Sequence, residues 1–349
     1  MTFQITRRAF STGAATALLG AVTPAFAADR KAGELIPIRV GYVPNWNVQS
    51  NFVAVLRFTD AMNQVGLKPV FTPFLAGGPL NQAMLGGQLD IGLIGGGPAV
   101  SLVANGFKAK IIARISDVRD ALIVKTDSPF KTVGDLKGKT IASFVGSNTY
   151  MVLLSLLKGG GLDPKKDVNI VNLSPDAHYN ALMNGDIGAY DTWDPYIELA
   201  QERGGVRILA QGKTAGPGVA VVSDDFLAKN RDATVRMLEA IAIGIWYMAK
   251  NKDQVNTWLA EDTKMSKAVI TRSSEVDRNY RTAPDLLDVG MEVSDEDVKG
   301  LNEIVGYFGS LNQIKTRPEM AKFVDRAPLK EAVARLKKNP NRKVTVTKS

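Results

Sequence analysis

The sequence predicts an α/β protein of two lobes, each built on a mostly parallel, twisted sheet, with a helical last third packed on the first lobe. Three observations carry that prediction. Between Ile36 and about Val222, strand-like apolar runs alternate with helical patterns of roughly ten residues, as βαβ units require. The alternation restarts with a helix opening at Thr132, which implies a second sheet. Beyond Val222 the strand signal gives way to apolar residues recurring at spacings of three and four, one face of long helices.

Ile38-Arg39-Val40-Gly41-Tyr42-Val43 reads as the first strand, and Phe52 to Val65 as a helix closed by Gly66. Pro69 to Phe74 is a strand and Pro79 to Leu85 a short helix closed by Gly86-Gly87. Asp90-Ile91-Gly92-Leu93-Ile94 is apolar enough to be a buried strand, followed by a helix from Pro98 to Ala104. Lys110–Ile115 and Ala121–Lys125 are strands. After Thr132 come a strand at Lys139–Phe144, a helix at Thr149–Lys158, a strand at Val168–Asn172, a helix at Pro175–Met183 and a strand at Ile187–Tyr190. In the last third, Val235, Leu238, Ile241, Ala242, Ile245, Met248 and Ala249 line one face of a long helix. Ser294-Asp295-Glu296-Asp297 starts another like a capping box. A final helix spans Pro328 to Leu336, and the tail after Asn339 reads as frayed.

Four helix starts share a design. Gly77-Gly78-Pro79, Gly95-Gly96-Gly97-Pro98 and Ser174-Pro175 place proline in the first turn after a residue that bends or caps freely. Gly146-Ser147-Asn148-Thr149 follows directly on a strand. In parallel α/β sheets such turns lie at the carboxyl edge, where ligands bind. Helix N-termini there offer unpaired N–H groups and a positive partial charge, which suits an anion. Any single turn of this kind serves equally as plain chain reversal; four of them, spread over both sheets, point to an anion site between the lobes. Gly134-Asp135-Leu136-Lys137-Gly138-Lys139-Thr140 is not a phosphate loop, since its glycines are one residue too close and Lys-Thr leads into a strand. Aromatics gather near the predicted loop edge: Tyr42, Trp46, Phe144, Tyr150, Tyr190, Trp193 and Tyr196. Trp46 and Trp193, set among Asn, Asp and Pro, are candidates for lining a pocket. Asp194 either caps the following helix or meets an ammonium group on a ligand, and capping is the plainer role. Arg119 reads as an exposed structural cation and His178 as an ordinary helix residue.

Composition removes whole classes of chemistry. The 349 residues contain no cysteine and one histidine, His178, so disulfides, thiolate nucleophiles, Cys-ligated metals, a His-based triad and a multi-His metal site are set aside. No cofactor is therefore expected, and no residue is expected to be catalytic or metal-binding. Net charge is +8 with the basic residues scattered, which gives no nucleic-acid patch. At the start of the chain, Arg7-Arg8, an uncharged run from Ser11 to Val22, and Ala25-Phe26-Ala27 make a twin-arginine secretory signal over residues 1–27. The apolar run is shorter than the roughly 20 residues a spanning helix needs. Without a cysteine at the cleavage site the product is expected to be free in the periplasm, not lipid-anchored, and monomeric.

Several segments together resemble a known family. They are Asp90-Ile91-Gly92 with Gly97-Pro98, Ala121 to Lys131, Asp135-Leu136-Lys137-Gly138-Lys139 and Gly146-Ser147. Asn172 to Ala177, Gly185-Asp186-Ile187-Gly188-Ala189 and Trp193-Asp194-Pro195-Tyr196 complete the set. In this order they are similar to the aliphatic sulfonate, taurine and nitrate group of ABC-transporter solute-binding proteins, the NMT1-like group. The resemblance implies a type II periplasmic-binding-protein (Venus flytrap) fold. Lobe 1 would span 36–122 plus 222–336, lobe 2 123–221, and the tail 337–349. It further implies that a small anion is captured between the lobes and delivered to an inner-membrane permease. Trp46, Asn47, Gly97, Ser147, Asn148, Thr149, Tyr190, Trp193 and Asp194 are then the expected binding residues. Asn45-Trp46-Asn47 and Asn148-Thr149-Tyr150 depart from the pattern of simple sulfonate binders. Two other readings stand beside transport: a binding protein that presents its ligand to a receptor, and an enzyme like the thiamine-pyrimidine synthases, against which the missing cysteines and single histidine argue. For export, replacing both Arg7 and Arg8 by Lys is expected to strand the precursor in the cytoplasm, as fractionation and immunoblotting would show; unchanged export removes the twin-arginine assignment.

Overall fold

Ile38 and Val40 are fully buried because β1 (Ile36–Tyr42) lies inside a sheet, between parallel neighbours β2 (Leu67–Pro73) and β3 (Ile91–Gly95). The computed structural model describes residues 34–44, 50–145, 147–212 and 216–348, so the signal segment falls outside the described residues. Helices α1 (Phe52–Phe58) and α2 (Ala61–Gln64) join β1 to β2, and α3 (Gly77–Leu85) joins β2 to β3. Helix α4 (Gly96–Ala104) leads to β4 (Ala109–Ser116). The chain then crosses through Asp117–Arg119 into β5 (Asp120–Lys125). There follow β6 (Thr140–Ser143), α5 (Asn148–Gly159), β7 (Asn169–Asn172), α6 (Pro175–Asn184), β8 (Ala189–Trp193), α7 (Tyr196–Arg203) and β9 (Val206–Gly212). A second crossing returns it to β10 (Gly218–Ser223).

The two five-stranded sheets have the same plan. One runs β2-β1-β3-β10-β4 and the other β7-β6-β8-β5-β9. In each, the strand that follows a crossing (β10, β5) is inserted antiparallel between two others, and the remaining four strands point one way. The mostly parallel expectation holds in that sense. The expected divisions at 122/123 and 221/222 fall inside β5 and β10 and are corrected: hydrogen bonding assigns each strand whole to one sheet, so the boundaries move to the crossings.

Elsewhere the local reading is refined. The helix expected at Thr132 is a single 3-10 turn, Val133–Leu136, capped reciprocally by Thr132 and Asp135 and closed by Gly138 at φ 75°. The helix expected over Phe52–Val65 breaks at Thr59, which is extended. The break has a partner. Asp60 N–H donates to Thr345 O at 2.9 Å, Thr347 N–H to Phe58 O at 2.8 Å, and Thr59 bridges Val346. The tail that reads as frayed is thus strapped to the α1–α2 break.

The C-terminal third adds α8 (Asp224–Lys229), α9 (Arg231–Lys250), α10 (Lys252–Thr263), α11 (Lys267–Ser274), α12 (Arg278–Thr282), α13 (Asp295–Ser310) and α14 (Ala327–Leu336). Its apolar faces pack on the first sheet. Val235, Leu238, Ile241 and Ile245 of α9 share one core with Ile38, Val40, Phe52 and Leu56, and Leu301, Ile304 and Phe308 of α13 share another with Ile94, Val100 and Ile111. Gly244 allows the closest approach: a Cβ there would meet the Phe52 carbonyl and the Leu56 side chain at 3.2 and 3.1 Å. Met151 and Val152 of α5 join the α4–α13 core, so the second lobe touches the first beside the crossings. Deleting residues 343–349 is expected to cost about 1–3 kcal/mol, since several net-favourable hydrogen bonds go at once. Urea midpoints of the full and shortened chains would show it, and equal midpoints would mean the strap contributes nothing.

Candidate functional site

Gly77, Gly96 and Asn148 open α3, α4 and α5, and these three helix starts converge on one cavity of about 380 Å³ between the lobes. The sequence requires each of them. A Cβ on Gly77 would collide with the Pro98 ring, so α3 and α4 can start side by side only with glycine there. Asn81 fastens the pair by donating Nδ2–H to the Pro98 carbonyl at 2.8 Å. Across the cleft, Ser147 is the N-cap of α5, its Oγ accepting from Tyr150 N–H at 3.2 Å. The fourth start, Ser174-Pro175, is not part of this cavity wall.

The wall divides by chemistry. Val43, Val118, Phe144, Val145 and Trp193 make an apolar side, with the Phe144 and Trp193 rings 6.4 Å apart. Ser101, Ser147, Asn148 and Thr149 and the helix starts make a polar side. Among the described lining residues there is no lysine, arginine or histidine, and one carboxylate, Asp120. Thr149 donates its hydroxyl to Asp120 Oδ1 at 2.8 Å, tying the start of α5 to the start of β5.

Of the residues expected from sequence, Ser147, Asn148, Thr149 and Trp193 line the cavity. Gly97 sits in the first turn of α4 and gives its N–H to Asn148 Oδ1. Trp46 and Asn47 lie outside the described residues. Two expectations are corrected. Tyr190 points the other way along β8, into the second lobe's core against His178, with ring centroids 5.3 Å apart. Side chains alternate along a strand, so Trp193, on the face opposite Tyr190, is the β8 residue in the cavity wall. Asp194 does not cap α7, which has no side-chain cap. Both its oxygens are taken by Arg119, at 2.6 Å each, and Arg119 also holds Glu198 at 2.7 Å. Arg119 is accordingly a partly buried anchor and not an exposed cation. Burial opposes its charge, but the hydrogen bonds it donates to Asp194 and Glu198, and their negative charges, outweigh burial and raise its pKa.

Sequence reasoning missed Asp120 and Asp191 because carboxylates in strands carry no turn or cap signal. Asp191 is 1% exposed. Burial pushes its carboxyl up to about 8, tempered by the Ser143 hydroxyl and reinforced by the Asp120 charge. Asp191 is therefore protonated at neutral pH, which keeps a second negative charge away from the start of α5. His178 is packed and its Nε2–H donates to the Leu173 carbonyl at 3.1 Å; burial lowers its pKa to about 4, so it is neutral.

The chain matches the NMT1-like family over residues 31–260. It belongs to that family, the periplasmic solute-binding proteins of ABC importers. It is 26% identical over 281 residues to a Bacillus subtilis (strain 168) protein assigned as an aliphatic sulfonates-binding protein, covering 79% of this chain and 82% of that one. It is 31% identical over 157 residues to the taurine-binding periplasmic protein of Escherichia coli (strain K12), covering 42% and 46%. Its fold matches the crystal structure of the periplasmic aliphatic sulphonate binding protein from Escherichia coli with a TM-score of 0.71 at 21% identity, over 83% of this chain and 92% of that one. The two-lobed periplasmic-binding-protein fold is thus shared, and the general role is that of a solute-binding protein of an ABC importer.

Asp191 supplies a pH test. Its folded-state pKa lies above its ordinary 3.8, so between those values the folded protein holds a proton that the unfolded chain lacks. Stability then falls as pH rises from about 4 toward about 8, by at most about 1.4 kcal/mol per unit. Urea midpoints at pH 5 and pH 8 should drop for the wild type and drop less for Asp191→Asn. Equal drops would show that Asp191 ionises normally.

Proposed function

We propose that this protein captures a small organic anion in the interlobe cavity and delivers it to an inner-membrane permease after export by the twin-arginine route. One observation carries the reading: three helix N-termini, from both lobes, face a single cavity. Each presents N–H groups with no intrahelical partner and a partial positive charge, so an oxyanion there satisfies donors on both sides at once. Contacts from both lobes are what a closing ligand needs, since it shifts the open–closed balance only by binding the closed form better.

The apolar side of the wall gives the anion a tail. Phe144 and Trp193 can cover a short alkyl or aryl group, and relatives assigned to aliphatic sulfonates and taurine fit such a cavity. Asp120 stands where a ligand amine or hydroxyl would meet it, which keeps aminosulfonates among the expected ligands. Trp193, not Asp194, is the ligand contact at the end of β8, because Arg119 already satisfies Asp194.

Thermal shift and calorimetry of the mature protein with nitrate, ethanesulfonate, taurine and benzoate test the proposal. A true ligand at a hundredfold excess over its Kd stabilises by about 2.7 kcal/mol. Trp193→Ala should weaken ethanesulfonate or benzoate about tenfold or more, and nitrate little, because nitrate has no tail to cover. Stabilisation by none of these anions would overturn the reading.

A further inference from the structure

Asn148 is the first residue of α5 and is 8% exposed, yet it is one of the residues that line the cavity. Its Oδ1 accepts the Gly97 N–H, a bond that runs from α4 in the first lobe to α5 in the second. A Cβ on Gly97 would collide with that oxygen, so the contact requires glycine at 97. The donor is a backbone N–H, which fixes the amide: oxygen toward Gly97, nitrogen away from it. Among the described residues Nδ2 has no hydrogen-bond partner. A buried NH2 group that wants acceptors and finds none is costly, and this one sits in a cavity wall.

We infer that Asn148 couples ligand capture to lobe closure, its oxygen clasping the first lobe through Gly97 and its NH2 group donating to an unprotonated oxygen of the ligand. The inference rests on the anion reading above and assigns within it the side chain that makes closure and binding one event. A ligand oxygen held by Nδ2 pins the amide in the orientation that keeps Oδ1 on Gly97, so binding strengthens the clasp and the clasp pre-orients the donor. The selected chemistry is an acceptor, such as a sulfonate or carboxylate oxygen, and not a hydroxyl or ammonium donor.

Two variants separate the halves, with ethanesulfonate and taurine as probes. Asn148→Asp keeps an oxygen for Gly97 but aims a second, negative oxygen where Nδ2 was. It should keep the ligand-free compactness seen by small-angle scattering and lose about a hundredfold or more in sulfonate affinity, because like charges then face each other. Asn148→Ala removes both contacts. Its ligand-free radius of gyration should rise, and its affinity should fall about tenfold, the loss of one charge-assisted bond. Urea midpoints would confirm that both variants fold. Wild-type affinity in Asn148→Asp overturns the ligand contact, and wild-type scattering in ligand-free Asn148→Ala overturns the clasp. A wild type that takes up neither probe at millimolar concentration overturns the anion reading and the ligand contact with it, while the scattering comparison still decides the clasp.

Discussion

The guanidinium of Arg119 fixes the place from which the cleft is built. Arg119 belongs to the first crossing, and its two carboxylate partners, Asp194 and Glu198, belong to the second lobe. Glu198 in turn holds Arg272 of α11, in the first lobe, at 2.6 Å. A planar fork that meets one carboxylate with two parallel bonds defines orientation as well as position. The residues on either side of Arg119 inherit that orientation: Val118 and Asp120 both stand in the cavity wall. The same pairing turns Asp194 away from the cavity and leaves Trp193, one residue earlier, facing it.

The lobes are joined at three further places, each of a different kind. Ser266 donates to Glu202 at 2.7 Å on the α7–α11 side. Met151 and Val152 sink into the α4–α13 core beside the crossings. Gly97 and Asn148 meet across the cavity itself. The apolar contact is non-directional and tolerates sliding, whereas the two polar ones hold only in one arrangement. On the proposed function, a hinge motion would break the polar contacts first and re-form them last, with Asn148 at the step where closure is completed.

How much of this was legible in the sequence depends on what kind of signal a residue leaves. The helix starts at Gly77, Gly95–Gly97 and Ser147 announce themselves because glycine, proline and caps are local necessities. The two-sheet plan shows in the alternation of strand and helix, and the last-third helices in their spacing. Three short helices, α10 to α12, leave no sequence signal, since five to twelve residues with mixed polarity set up no clear periodicity. The strapped tail was misjudged for a related reason: its order comes from backbone bonds to Phe58 and Asp60, some 285 residues away in sequence, and no local composition records them. Tyr190 was misplaced because an aromatic near a loop edge reads the same whichever face of the strand it occupies. Register settles it, and register is a tertiary fact. Asp194 looked like a cap because Asp before Pro in a helix start often is one. Its actual partner, 75 residues earlier, is a surface-type arginine until the fold buries it.

On the proposed function, a cavity that recognises an anion without a cationic side chain among its described walls works by a different balance from a salt bridge. Helix N-termini contribute fixed partial charges of roughly half a unit each and cost no side-chain ordering when the ligand arrives. An Arg or Lys would bind any anion strongly in the open state, from either lobe alone. Partial charges divided between α3 and α4 on one side and α5 on the other are weak singly and sum only when the lobes meet. On the same proposal, that division turns binding energy into closure, because a ligand held by one lobe alone gains the second lobe's contribution only when the lobes meet. On the proposed function, the protein discriminates by where a single anionic head can sit between three helix starts, and the Phe144–Trp193 wall then decides which tails may follow it.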